Sequence, residues 1–267
     1  MSSACLGLAA AGVYWMSTAG AFVVDSDEAV AVAVEGEQGP PLRVVELFTS
    51  HGCSSCPRAD RLLGEMLQED DSLMALEYHV DYWDSLVHGN DGNWKDPFSR
   101  PEYTERQRTY NAAKLIGRGG VYTPQVVING QYVAVGSNES RLRQALKQNI
   151  PAQLHIGIDA TASDTSPAQR ELSIQVEGDQ ARLSSLQGAQ ISLVRYIDQA
   201  STDITGGENN HKQLVNHRIV FDVASLGQVG SQSPMQYRVE APGEGEGCLV
   251  MVQDAALTPI LAAAQCP

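Results

Sequence analysis

The chain has 267 residues, 43% of them apolar and 19% charged, with a formal net charge of −14. That length favours two domains with ample chain for a core, and the composition is that of a globular protein, neither disordered nor coiled coil. The negative charge opposes non-specific attraction to nucleic acid or anionic lipid, which carry the same sign, so neither is expected as a partner.

The first 21 residues carry no charged side chain and end in Ala19-Gly20-Ala21, the small-x-small pattern of a cleavable secretory signal; the first basic residue is Arg43. The mature chain is expected to begin near Phe22, in the periplasm or outside the cell, with no stable membrane insertion after cleavage. Residues 22–41 are small and acidic, end in Gly-Pro-Pro and read as a linker. RVVELF, from Arg43, is of strand type. From Cys56 to Leu67, Leu62, Leu63, Met66 and Leu67 share one helical face and Pro57 stands early, where a helix tolerates it. Residues 73–83 predict a second strand, followed by a glycine-rich aromatic loop and a polar helix from Pro101 to Leu115 that bears Arg106, Arg108 and Lys114. VYTPQVVINGQYVAVG then reads as a strand, an Asn129-Gly130 hairpin turn and another strand. A helix capped by Ser137 or Asn138 stops at Pro151. Residues 152–267 alternate apolar and polar positions between turn-rich pieces, the pattern of a small antiparallel sandwich, and place a domain boundary near 151.

Removing the leader removes Cys5 and leaves Cys53, Cys56, Cys248 and Cys266, an even count suited to an oxidising compartment. A Cys248–Cys266 bridge would tie down the chain terminus and stabilise the fold by about 3 kcal/mol; two unrelated free thiols are the alternative. Cys53-Ser54-Ser55-Cys56 sits between a strand and a helix. Unpaired N–H groups and the positive end of a helix dipole favour a thiolate at Cys53, and Cys56 lies within reach to resolve a mixed disulfide formed there.

The order of strand, CxxC, helix, strand, inserted helix, Thr-Pro strand, hairpin and helix resembles the thioredoxin fold. VELFTSHGCSSCPRAD, HVDYWD, RQRTY, YTPQVVING and GENNHKQL are together similar to a family of secreted thioredoxin-like proteins known as domain of unknown function twelve twenty-three. The resemblance implies an α/β thioredoxin-like domain over 42–151 followed by a mostly antiparallel β-sandwich-like domain over 152–267. It implies Cys53 as nucleophile, Cys56 as resolver and Pro124, after Thr123, as the cis-proline that flanks the substrate groove and aligns the client backbone. It also suggests Glu46 as a proton relay, although its spacing to Cys53 is one residue longer than usual, so that either the turn bulges or Glu46 faces away.

Other readings stay open. The pair could be a permanent staple, or His51, Cys53 and Cys56 could bind Cu(I) as soft ligands; structural zinc would need a second CxxC. His51 otherwise serves as a charge neighbour that lowers the Cys53 pKa, and His79 reads as a satisfied strand histidine. Asp81, Trp83 and Asp84 stand near the edge from which the cysteine turn emerges and could wall a groove or simply cap and fill. Arg106 and Arg108 could steer acidic clients or form a solvated face, and Gly206-Gly207-Glu208-Asn209-Asn210 reads as a tight loop. His211 and His217 are expected on the surface. Three functions follow: an exported thiol–disulfide oxidoreductase acting on a protein or small-molecule thiol or disulfide without an organic cofactor, a copper chaperone or sensor, or a non-catalytic binding protein with a structural CxxC.

Overall fold

The computed structural model describes residues 40–86, 94–162 and 170–267. The leader, nearly all of the linker, Cys5 and the middle of the aromatic loop lie outside them. The chain runs β1 (Val44–Thr49), α1 (Cys56–Glu69), β2 (Met74–His79), α2 (Pro101–Ala112), β3 (Ile116–Gly117), β4 (Gln125–Ile128), β5 (Tyr132–Val135) and α3 (Glu139–Leu146). It continues through β6 (His155–Ala162), β7 (Arg170–Glu177), α4 (Gln180–Ser185), β8 (Gln190–Asp203), β9 (Gln213–Gln228), β10 (Met235–Glu240), β11 (Glu246–Gln253) and β12 (Ile260–Gln265). No described helix is long and apolar enough to cross a membrane.

Strand β1 is buried at all six positions because both its faces are covered. Val45 and Leu47 pack with Leu62, Leu63 and Met66 of α1. Val44 and Phe48 point the other way, into a cluster with Tyr103 and Tyr110 of α2. β1 pairs in parallel with β2 and antiparallel with β4, and β4 turns through Asn129 and Gly130, both at positive φ, into β5.

The expected arrangement of a thioredoxin-like α/β domain followed by a separate sandwich is overturned. Among the described residues one mixed sheet runs β12-β11-β8-β9-β2-β1-β4-β5-β3, so strands from both halves of the chain share nine places in it. The described residues are mostly β, with four short α-helices of 14, 12, 8 and 6 residues. The physical reason lies at β2. Its outer side is occupied by β9, with Glu77 registered in parallel against Ile219, so the edge on which a self-contained first domain would end is instead continued. The same apolar cluster holds Phe48 and Tyr78 from the first half and Val194, Val220, Leu249 and Ile260 from the second. A three-stranded sheet, β10-β7-β6, packs through Leu172, Ile174 and Val176 against Ile191, Leu193, Val250 and Leu261 of the large one. Cys248 and Cys266 form a disulfide that fastens the end of β12 to β11.

Candidate functional site

Cys53 and Cys56 are joined as a disulfide with Cα atoms 5.5 Å apart. Cys53 N–H donates to Ser50 O and Cys56 N–H to Cys53 O, each at 3.2 Å, which winds the chain into the start of α1. That helix carries no acidic residue in its first turn, no side-chain cap, and a proline at its opening. Its N-terminal N–H groups are therefore not neutralised from within, which favours negative charge on a sulfur placed there. Cys53 Sγ lies 3.3 Å from Ser55 Oγ. Ser54 and Ser55 are exposed, whereas Cys53 and Cys56 are 1% and 0% exposed.

The cover comes from the connection between β8 and β9. Asn209, wholly buried in a 3-10 turn at Gly207–Asn209, donates its amide to the backbone carbonyls of His51 and Cys53, both at 2.9 Å. Lys212 Nζ donates to the amide oxygen of Asn209 at 2.9 Å and so fixes which way the amide faces. Glu208 accepts Ser54 N–H at 2.8 Å, and hydrogen bonding by the Ser54 side chain, then by that N–H, holds its carboxyl below the ordinary range. Gly206 is required at its place: a Cβ there would stand 2.5 Å from the Trp94 ring. Trp94, Ile204 and Leu214 form a small apolar cluster against which Trp83 packs.

Trp83 links this cover to the Thr-Pro turn, its indole Nε1–H donating to Thr123 Oγ1 at 2.8 Å. The Thr123–Pro124 bond is cis. Pro124 lies near the first turn of α1, because a Cβ added at Gly136 would sit 3.2 Å from Pro124 Cβ and 3.1 Å from Ala59 Cβ. Pro124 thus stands beside the first turn of α1, with Thr123 and its partner Trp83 next to it in the chain and by that hydrogen bond.

Behind the disulfide lies a polar cluster sealed from solvent. His51, Glu77, His79, Asp96 and Asn216 are each 0% exposed, and Asp60 is 2% exposed. Asp96 Oδ2 accepts His51 N–H and His79 Nδ1–H, both at 2.8 Å. Asn216 Nδ2–H donates to Glu77 at 2.9 Å, leaving its oxygen to accept His51 Nε2–H at 2.8 Å. Burial, reinforced by the neighbouring His79, lowers the His51 pKa. Burial would depress His79 as well, but the Asp96 carboxylate and its hydrogen bond outweigh it and hold His79 up at about 10. Burial alone would raise Asp96; His79 overcomes it and keeps that carboxyl well below the usual range. Asp60, one helical turn beyond Cys56, accepts Thr49 Oγ1–H at 2.7 Å, and burial followed by the proximity of Glu77 pushes its pKa well up.

Other expected residues lie elsewhere. Glu46 faces α2, where Arg106 Nε–H donates to it at 2.7 Å and the Tyr110 hydroxyl also donates to it, while the next inward positions, Leu47 and Thr49, face α1. Asp81 accepts Thr104 Oγ1–H at 2.6 Å and fastens the start of α2. Asp84 accepts Asp96 N–H at 3.1 Å and Ser99 Oγ–H at 2.6 Å, and so shapes the turn that delivers Asp96. Arg106 is half-buried in its ion pair with Glu46, while Arg108 stays solvated beside Glu105. His211 is exposed and His217 half-buried. Among the described residues, the cluster able to hold a metal comprises His51, His79 and Asp96, without either cysteine.

Asp60, Glu77, Asp96, Glu208, Asn209 and Asn216 were missed by sequence reasoning. Only Asp60 carried a local signal, its i,i+4 spacing from Cys56. Glu77 lies on β2 itself, Asp96 arrives on the loop after it, and Glu208, Asn209 and Asn216 are brought in by the long-range pairing of β2 with β9.

Fold and site together define a mostly β protein with a buried CxxC disulfide at a helix start and a loop clasped over it. The chain belongs to the family described as "Protein of unknown function (DUF1223)", which matches residues 44–253. It is similar to the crystal structure of protein AGR_C_4864 from Agrobacterium tumefaciens, at 28% identity and TM-score 0.60, over 85% of this chain and 94% of that one. HBP35 of Porphyromonas gingivalis shares the fold at 12% identity and TM-score 0.55, over 85% of this chain and 75% of that one. No curated protein matches the chain.

Proposed function

We propose that the chain is an exported thiol–disulfide oxidoreductase in which Cys53 is the exchanging sulfur and Cys56 the resolving one. The observation that carries this reading is the Cys53–Cys56 disulfide at the opening of α1, whose first turn holds no acid and no side-chain cap. In the reduced pair a thiolate at Cys53 attacks one sulfur of a client disulfide; the other client sulfur leaves as a thiolate and takes a proton. Cys56, deprotonated, then attacks Cys53 Sγ, breaks the mixed disulfide and releases the second client sulfur, so that two electrons pass to the client. Pro124, against α1, and Trp83, bonded to Thr123, form one wall beside the pair for an extended client segment. The second disulfide, Cys248–Cys266, supports an oxidising compartment such as the periplasm.

The copper reading has no observation in its favour: the His51 ring is engaged by Asn216 and Asp96, and both cysteine sulfurs are in the disulfide. The test is disulfide exchange with a model peptide by wild type, Cys53→Ser and Cys56→Ser. Loss of exchange in Cys53→Ser and a trapped mixed disulfide in Cys56→Ser are expected. Wild-type rates in Cys53→Ser would overturn the reading.

A further inference from the structure

We propose that the cavity between α3 and the outer strands β3 and β5 binds a fatty acid, an apolar chain with a single carboxylate head, and does so apart from the cysteine pair, none of whose site residues lines it. The cavity holds about 530 Å3, within the roughly 300–1,000 Å3 of small-molecule sites. It is lined by Ile128, Tyr132 and Ala134 from the sheet, Ala145 from α3 and Ile116 from β3. The two-residue period of β5 puts Tyr132 and Ala134 on the face that packs with Leu142 and Leu146 of α3, while Val133 turns to the opposite cluster. The β3 side depends on a glycine. Gly117 stands at φ +131°, and a Cβ on it would lie 2.0 Å from the Val133 carbonyl oxygen, so only glycine lets β3 lie against β5 there.

Tyr132, Ala134 and Ala145 pack against the buried core of this face yet stay half-buried, and Ile116 is 63% exposed, so the cavity presents apolar surface that the described residues leave uncovered. Its charge is the reverse of the chain's. Acidic residues outnumber basic ones by 32 to 18 in the whole sequence, but the residues lining the cavity include Arg118 and Arg141 and no carboxylate. Among the described residues neither guanidinium has a carboxylate at ion-pair distance: Arg141 donates to Gln144 at 3.2 Å, and Arg118 lies 4.6 Å from the centre of the Tyr122 ring. Arginine takes a carboxylate through two parallel N–H···O bonds, and the apolar lining takes a hydrocarbon body, so charge and surface together fit an amphiphile with one anionic head. A peptide strand fits less well, because β3, the outer strand, is two residues long and offers little backbone to pair with.

The experiment titrates the full chain with decanoate below its micelle concentration, followed by calorimetry and by displacement of the dye anilinonaphthalene sulfonate. One equivalent should bind, and decanol, which has the same chain without the charge, should bind at least about 10-fold more weakly. The surface double variant Arg118→Gln/Arg141→Gln should lose at least about 10-fold in decanoate affinity and keep its affinity for decanol. Ala134→Phe, which fills the cavity, should abolish both, whereas Cys53→Ser/Cys56→Ser should bind decanoate as wild type. Absence of saturable binding in wild type, which needs no variant to fold, would overturn the site. So would uptake of many equivalents without an end point, equal affinities for decanoate and decanol, or undiminished decanoate affinity in the folded arginine variant.

Discussion

Asn209, carried on the β8–β9 connection, holds the carbonyl oxygens of His51 and Cys53 with one amide group, at 2.9 Å each. A residue more than 150 positions away in sequence thus fixes the turn that presents the cysteine pair. Asn209→Ala would remove the side-chain donor from both buried carbonyls and leave Cys53 O with Cys56 N–H alone. A loss of about 2 kcal/mol is expected from denaturant unfolding of the oxidised chain, together with faster reduction of Cys53–Cys56 by dithiothreitol. Unchanged stability and an unchanged reduction rate would mean that the clasp is incidental.

Glu208 places a carboxylate on Ser54 N–H, at the end of α1 that should favour a thiolate. Its negative charge opposes ionisation of Cys53, so Glu208→Gln should lower the Cys53 pKa in the reduced chain. The pH dependence of alkylation by iodoacetamide reads this directly; a pKa that rises on substitution would contradict the account.

The Arg106–Glu46 pair couples α2 to β1, and Gln253 of β11 joins it by accepting from Arg106 at 2.7 Å. Arg106→Met should cost about 3–5 kcal/mol because it strands the Glu46 carboxyl in the core. The double variant Arg106→Met/Glu46→Leu should recover much of that loss. Equal losses from the single and double variants in a denaturation cycle would show that the packing of the arginine stem matters and its charge does not.

Tyr103 donates its hydroxyl to Val220 O at 3.0 Å, and burial raises its pKa to about 12. A folded pKa above the unfolded value of 10.0 means that the stabilisation is whole below pH 10 and is lost as pH rises through about 12. Stability should accordingly fall between pH 10 and 12, less steeply in Tyr103→Phe; parallel pH profiles for the two proteins would refute this.

Much of the site's chemistry was legible locally and much of its surroundings was not. The placement of Cys53 and Cys56 between β1 and α1, and the Asn129-Gly130 turn, follow from residue types a few positions apart. The partner of β2 does not. An alternating strand states which face is apolar but not which strand will lie beside it, and β9 was read as part of a separate sandwich. That single pairing brings Asn216 to His51 and Glu77, and the loop ahead of β9 brings Asn209 to Cys53. His79, read as an ordinary strand histidine, does find its partner, but in Asp96, seventeen residues on, beyond a loop with no periodicity to announce it. Glu46 shows the converse. Its sequence position suggested a role beside the thiols, and the alternation of β1 turns it to the opposite face of the sheet.

The central claim is that Cys53 and Cys56 exchange their disulfide with clients. Its most direct test is a redox titration of the chain in glutathione or dithiothreitol buffers, with alkylation and mass readout at each cysteine. The account predicts a midpoint between about −120 and −270 mV for Cys53–Cys56. A pair that stayed oxidised below about −300 mV would be a structural bridge, and the catalytic reading would be wrong.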